Sequence, residues 1–195
     1  SYEEGFLDFQ FNTMFFNKLN LSADILNKKT GNSFKNTESS FWQADFKLTY
    51  FISNSANISG GYFHNTSKVG LNGGINVDSL AKRYSNINSV MYDPITAFVK
   101  VTDRYQKNST NLLTLKGLFL FDEYGITEFN IYFKNVLDEF RQNENYTVSG
   151  LDYIKNDEQE KIAGAVLTQK LKLSVFNLDL TGFFEKRDLL IDSDY

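Results

Sequence analysis

Apolar residues recur at every second position through most of this chain, and no run of them is long enough to cross a membrane as a helix. That period of two most constrains the fold. Successive side chains of an extended strand point to opposite faces, so alternation gives one greasy face and one wet face. Eight segments carry it, at about 5–16, 18–27, 41–52, 56–65, 111–121, 126–135, 161–173 and 177–186. In the first, Leu7, Phe9, Phe11 and Phe15 oppose Asp8, Gln10 and Asn12. In the third, Trp42, Ala44, Phe46, Leu48 and Tyr50 oppose Gln43, Asp45, Lys47 and Thr49. In the sixth, Phe129, Ile131 and Phe133 oppose Glu128, Asn130 and Lys134. The segment at 161–173 is the least regular, with Gln169 on its apolar side. A membrane strand needs about 9–11 residues with only alternate ones apolar. A mean hydropathy of −0.35 is compatible with that.

Composition narrows the function classes. The 195 residues include 19 Phe and 11 Tyr but one Pro, one His and no Cys. This is strand-forming material, too aromatic for disorder. Thiol catalysis, disulfides and thiolate metal sites are excluded from the chain. A net charge of −4 argues against non-specific nucleic-acid binding.

The connections alternate in length. Short turns are expected at Asn17-Lys18, Asn54-Ser55, 122–125 and 174–176; long polar loops at 28–40, 66–110 and 136–160. Short, long, short, long is the rhythm of consecutive antiparallel hairpins with tight turns on one rim. Aromatics gather beside the short turns (Phe15, Phe16, Tyr50, Phe51, Phe119, Phe121, Phe176). A second group falls towards the far strand ends (Phe6, Phe41, Trp42, Tyr62, Phe63, Phe133, Phe183, Phe184). Two such bands read as the girdles of a membrane barrel. The expected fold is therefore all-β: an antiparallel, up-and-down transmembrane β-barrel segment of about eight strands. One partial barrel region is expected over residues 1–195, with its longest outer loop at about 66–110. The first segment runs towards a short turn and the last leaves one, so both chain ends fall on the long-loop rim. Residues 189–195 read as the foot of a loop. The expectation is a piece of a larger barrel with two unpaired edges.

Ser1-Tyr2-Glu3-Glu4-Gly5-Phe6 resembles the S-x-E-x-G strand opening common in the barrels of TonB-dependent outer-membrane receptors. There a strand of about ten residues follows, then a short Asn-containing turn and an L-x-L-x-x strand. Here Leu7–Phe16, Asn17-Lys18 and Leu19-Asn20-Leu21-Ser22-Ala23-Asp24 follow. The resemblance covers about 30 residues, and the remainder matches in strand rhythm. The Asn/Ser-rich, Pro-poor style is similar to members from the Bacteroidota. The resemblance implies a receptor in the cell outer membrane whose outer loops capture a small nutrient or metal-chelate ligand. It also implies a plug domain and an inner-membrane energy-coupling protein as partners, neither within this chain, and membrane lipid around the wall. Two alternatives stay open: a passive porin-like channel, and a soluble β-barrel whose Phe/Leu face turns inward around an apolar ligand.

No catalytic residue, cofactor, metal ligand set or nucleic-acid partner is expected. His64 is alone and cannot make an imidazole pair. Asp152, Asp157, Glu158 and Glu160 lack EF-hand spacing and read as a solvated outer loop. Gly70, Gly73 and Gly74 match no phosphate-binding pattern and read as a flexible loop. The polar set Asp8, Gln10, Asn12, Asn20, Asp24, Gln43, Asp45, Lys47, Glu128, Asn130 and Lys134 is expected to face the lumen. If any segment touches substrate, it is 82–107, where Arg83, Tyr84, Tyr92, Arg104 and Tyr105 supply contact area and directed hydrogen bonds.

Overall fold

A computed structural model describes residues 4–31, 34–121, 125–144, 152–172 and 175–194. The first three residues of the S-x-E-x-G opening and parts of the turns expected at 122–125 and 174–176 lie outside these. Eight strands form one antiparallel sheet in sequence order: β1 (Glu4–Phe15), β2 (Leu19–Thr30), β3 (Ser39–Ser53), β4 (Ala56–Gly70), β5 (Arg104–Phe121), β6 (Gly125–Gln142), β7 (Ile154–Lys172) and β8 (Asn177–Asp194). The all-β, up-and-down expectation holds. Each strand pairs with its chain neighbours, and β1 and β8 form the two sheet edges.

The register aligns the alternation across strands. One row runs Phe11, Ala23, Phe46, Tyr62, Leu113, Phe133 and Ala163. The next runs Thr13, Leu21, Leu48, Gly60, Leu115, Ile131, Ala165 and Phe184. All belong to one face. The opposite face carries Gln10, Asp24, Asp45, Lys116, Glu128, Asn130, Thr168 and Thr181. A one-residue slip would exchange the two sets, so the aligned hydrophobic rows specify the register. Two glycines let rings cross strands. Phe129 occupies the place where a side chain on Gly117 would stand, and Tyr132 does the same at Gly164.

The greasy face is not a core. Phe11, Phe46, Leu48, Leu113, Leu115, Ile131 and Phe133 are all exposed, and among the described residues Leu80 is the one large side chain fully buried. A soluble barrel lined by the Phe/Leu face would instead show a closed, buried interior, which this open sheet lacks. On β5 the apolar stretch runs from Leu113 to Phe121, about 27 Å along the strand at ~3.4 Å per residue. At the usual tilt of about 40° this is a band roughly 21 Å tall, close to that of membrane barrels.

Three expectations need correction. The strands outrun the alternation: β5 to β8 continue about ten residues past the belt, so the loop expected at 66–110 shrinks to 71–103, and β6 runs on to Gln142 and β7 begins at Ile154. Beyond the belt polar and charged residues dominate both faces, the apolar ones (Leu137, Phe140, Leu189, Leu190, Ile191) follow no period of two, and nothing in the pattern marks the strand. Residues 189–194 accordingly belong to β8, and Asp157, Glu158 and Glu160 to β7. The first hairpin turns one residue early. Phe16 and Asn17 hold positive φ (53° and 54°) and Lys18 N–H donates to Phe15 O at 3.1 Å, the pattern of a hairpin turn with both central residues left-handed. The second aromatic band divides between faces. Trp42, Tyr62, Phe133 and Phe184 share the greasy face, whereas Phe6, Phe41, Phe63 and Phe183 pair among residues of the other.

Adjacent residues on β1 provide the test. Phe11→Arg, in mid-belt, is expected to cost roughly 2–4 kcal/mol of unfolding free energy in a bilayer. Gln10→Arg, on the wet face beside Asp24, should cost under about 1 kcal/mol. Urea titration in lipid vesicles measures both; equal costs would contradict the assignment of faces.

Candidate functional site

The strand ends opposite the tight turns carry three loops that are joined into one structure. Asn36, at positive φ, donates its side-chain amide to Leu71 O at 3.2 Å and Arg104 O at 2.9 Å. Gly70 N–H donates to Glu38 O at 2.8 Å, leaving no space for a side chain at Gly70 beside Asn36. Loop 34–38 is thereby clamped to the base of loop 71–103. On the other side Asn143 N–H donates to Asp103 O at 2.8 Å, and Gln142 Nε2 to Asp152 O at 2.9 Å. Arg104 Nε donates to Gln142 Oε1 at 2.7 Å, tying β5 to β6 at the foot of both loops.

Loop 71–103 has its own small core. A helix α1 (Val77–Arg83) is capped by the Asn76 side chain, which accepts from Ser79 N–H at 3.0 Å. Asp78 in its first turn and Lys82 and Arg83 in its last suit the helix dipole. Leu80, 0% exposed, and Ala97, Val99 and Val101 are the loop's buried apolar residues. An isolated pairing of Ile75 with Val99 closes the base. A 3₁₀ turn, Ile87–Ser89, and an Asp93 turn complete the loop. Asp93 accepts from Ile95 N–H at 3.0 Å and from the Thr96 hydroxyl at 2.7 Å, and these bonds hold its carboxyl below the usual range. The expected loop exists, but as a folded unit. The expected Gly-rich stretch splits: Gly70 ends β4, while Gly73 and Gly74 turn the chain at positive φ.

The five residues singled out for substrate contact do not converge. Arg83 and Tyr92 are exposed on loop 71–103, with the Arg83 guanidinium 5.5 Å from the Phe98 ring centre. Tyr84 is half-buried at the C-cap of α1. Arg104 and Tyr105 are successive β5 residues and point to opposite faces. Tyr105 belongs to the greasy-face parity, above the belt. Its ring carries Lys68 Nζ at 3.8 Å and its hydroxyl donates to Glu144 Oε2 at 2.6 Å. Burial, and then that bond to a carboxylate, push its phenol well up.

Tyr105 begins a charged band that the alternation of apolar residues did not reveal. Across the sheet on that face lie Lys107 with Glu139 (2.7 Å), Arg141 with Asp157, and Lys155 with Asp192 (2.5 Å). Arg141 makes a two-pronged contact on Asp157, Nη2 to Oδ2 being 2.7 Å, and lies 3.5 Å from both Glu139 and Glu144. Its side chain is only 9% exposed. Asp157 drives the Arg141 guanidinium further up, and Arg141 holds the Asp157 carboxyl down. The signal was present as Glu139-x-Arg141 and Lys155-x-Asp157: the period of two continues in charges. His64 sits at the edge between belt and band. Its Nδ1 is 2.8 Å from Asn111 Oδ1 and its Nε2 3.2 Å from the Thr66 hydroxyl, a paired surface residue. Among the described residues no cluster of His, Asp or Glu suits a metal ion.

No family model matches the chain, and no curated protein matches it by sequence. Solved structures do resemble it. The ferric-catecholate import receptor Fiu from E. coli K12 in its open form matches with a TM-score of 0.61 and 10% identity, over 95% of this chain and 32% of that one. The closed form matches with a TM-score of 0.61 and 13% identity, over 95% and 29%. At such identities the likeness is one of fold: this sheet matches a portion of a TonB-dependent receptor barrel. The chain spans about a third of the length of these structures. They offer no support for a Bacteroidota source.

Two outcomes are expected. Leu80→Ala should expose 75–99 to limited proteolysis while the strands stay protected, because the loop core is independent of the belt. Asp157→Asn should cost about 1–3 kcal/mol at neutral pH, the range for hydrogen bonds to charged groups. Because its folded carboxyl is depressed, the wild-type contribution is present above about pH 4 and lost as pH falls through the lower folded value. Paired urea titrations at pH 7 and near pH 2 should show the gap between the two proteins closing in acid.

Proposed function

We propose that this chain forms wall and outer loops of an outer-membrane nutrient receptor of the TonB-dependent class, performing no covalent chemistry itself. The carrying observation is an unclosed sheet with a membrane-height apolar face, topped by loops bonded into one platform. A wall alone needs no organised loop core; a capture surface does, since an ordered loop loses less entropy on binding. The barrel is completed by strands beyond this chain, with the polar face towards a plug. The inner-membrane coupling partner belongs to the same reading.

Loop 71–103 is the ligand-facing element in this reading. It exposes Lys82, Arg83, Tyr92 and Lys100, cations and an aromatic suited to an anionic, ring-bearing ligand. A metal chelate of the ferric-catecholate kind has that chemistry. Arg104 and Tyr105 then act from below, holding the platform on the wall.

Titration of the detergent-purified protein with ferric tris-catechol, followed by fluorescence, is expected to saturate. Arg83→Ala and Tyr92→Ala should each weaken binding about tenfold or more, as interface anchors do, with circular dichroism unchanged. Unsaturable binding that ignores both substitutions, together with a large steady conductance in planar bilayers, would favour a passive channel and overturn the receptor.

A further inference from the structure

Above the belt on β6 to β8 the greasy face changes abruptly to charge. On β6, Phe133 is followed on that face by Asn135; on β7, Ala163 by Lys161; on β8, Phe184 by Lys186 and Asp188. The register sets Ala163 opposite Lys186, and Lys161 opposite both Asn135 and Asp188. Lys161 and Lys186 are therefore diagonal neighbours, roughly 7–8 Å apart or less at the backbone. Lys186 Nζ is 3.2 Å from Asp188, and Lys161 is exposed. Two ammonium groups against one carboxylate leave a net positive charge. Arg187, Glu185 and Glu160 have the opposite parity and pair among themselves.

Directly beneath the lysines is a trough of about 480 Å³. Its floor is low because Ala163 and Ala165 carry methyl groups where their neighbours carry Ile131 and Phe133 on one flank and Phe184 on the other. The trough spans β5 to β8 at the level of Leu113–Leu115, and its β7 end adjoins the charged pair, since Ala163 faces Lys186. A strand added beyond β8 would leave it facing outward.

We propose that this trough and its lysine pair hold one anionic, phosphate-bearing membrane lipid. The acyl chain lies over Ala163 and Ala165 and the phosphate sits between Lys161 and Lys186. A phosphate fits the head of the site by charge, and methylenes fit its largely apolar body. The position, at the upper limit of an apolar band of membrane height, is where a headgroup stands. This inference rests on the outer-membrane reading, which supplies the bilayer.

The protein, reconstituted in phosphatidylcholine nanodiscs with a trace of spin-labelled phosphatidylglycerol, tests it against the same label on phosphatidylcholine. One net charge near the surface should give the anionic lipid about a fivefold preference in the immobilised fraction. Lys161→Gln with Lys186→Gln should bring the ratio to about one, whereas Lys107→Gln, on the charged band elsewhere, should leave it unchanged. Ala165→Leu, which fills the trough and keeps both charges, should also release the label. Absence of preference in the wild type, or its survival in the double variant, overturns the site. Displacement of the labelled lipid by inorganic phosphate, with Ala165→Leu inert, shows an anion site without a chain and also overturns it. Heat-modifiable mobility on gels and protease protection report insertion separately; their loss would contradict the membrane reading instead.

Discussion

Hydrocarbon offers no partner to a backbone amide, so each N–H and C=O within it must be satisfied by the neighbouring strand. In the outer-membrane reading proposed above, the rest of the structure follows from this. Pairing in sequence order satisfies the strands from β1 to β8 and leaves only the outer edges of those two open. It also imposes a common parity. Once Phe11 faces outward, the register carries that choice through Ala23, Phe46, Tyr62 and Leu113 to Phe133. Irregularity is confined: β3 and β4 shift register between Phe51 and Ser53, beside their short turn.

Above the belt a different interaction maintains the same sheet. There, water competes for backbone bonds and no greasy row specifies register. Ion pairs take over, with Lys107 directly facing Glu139 and Arg141 reaching diagonally to Asp157. Directly opposed positions there include like charges, Arg141 with Lys155 and Glu139 with Asp157, and the diagonal ion pairs offset them. The extended strands hold the loop platform beyond the apolar belt, and Asn36, Arg104 and Gln142 fasten it there. Apolar rows anchor the wall, charge ladders extend it, and side-chain amides join the loops.

Legibility in the sequence followed the same division. Within the belt, alternation located all eight strands, because burial in oil forces period two on one face and leaves the other polar. Beyond it the strands at 104–110, 136–142, 154–160 and 189–194 read as loop, since no consistent hydrophobic contrast between faces marks them. The hairpin at Phe16 was misplaced by one residue because an exposed phenylalanine at positive φ departs from the usual Asn-Gly preference. For the site, the loop was identified and its fold was not. Its buried apolar residues are Leu80, Ala97, Val99 and Val101, and the alternation of the last three is too short to reveal the loop's fold. Arg104 and Tyr105 were grouped with Arg83 and Tyr92 by proximity in sequence, although strand parity sends the first two to opposite faces. The lysines beside the trough are not legible as a pair, because Lys161 and Lys186 become neighbours only through the β7–β8 pairing.

Nitroxide scanning of residues 105–121 on β5 in lipid vesicles tests the division between oil and water most directly. Oxygen accessibility should peak at 113, 115, 119 and 121, with a water-soluble nickel chelate peaking at 114, 116 and 118. Both patterns should give way to uniform chelate access from 111 upward. A two-residue rhythm of the opposite phase, or chelate access at 113 and 115 equal to that at 114 and 116, would contradict a wall with lipid on its Phe/Leu face.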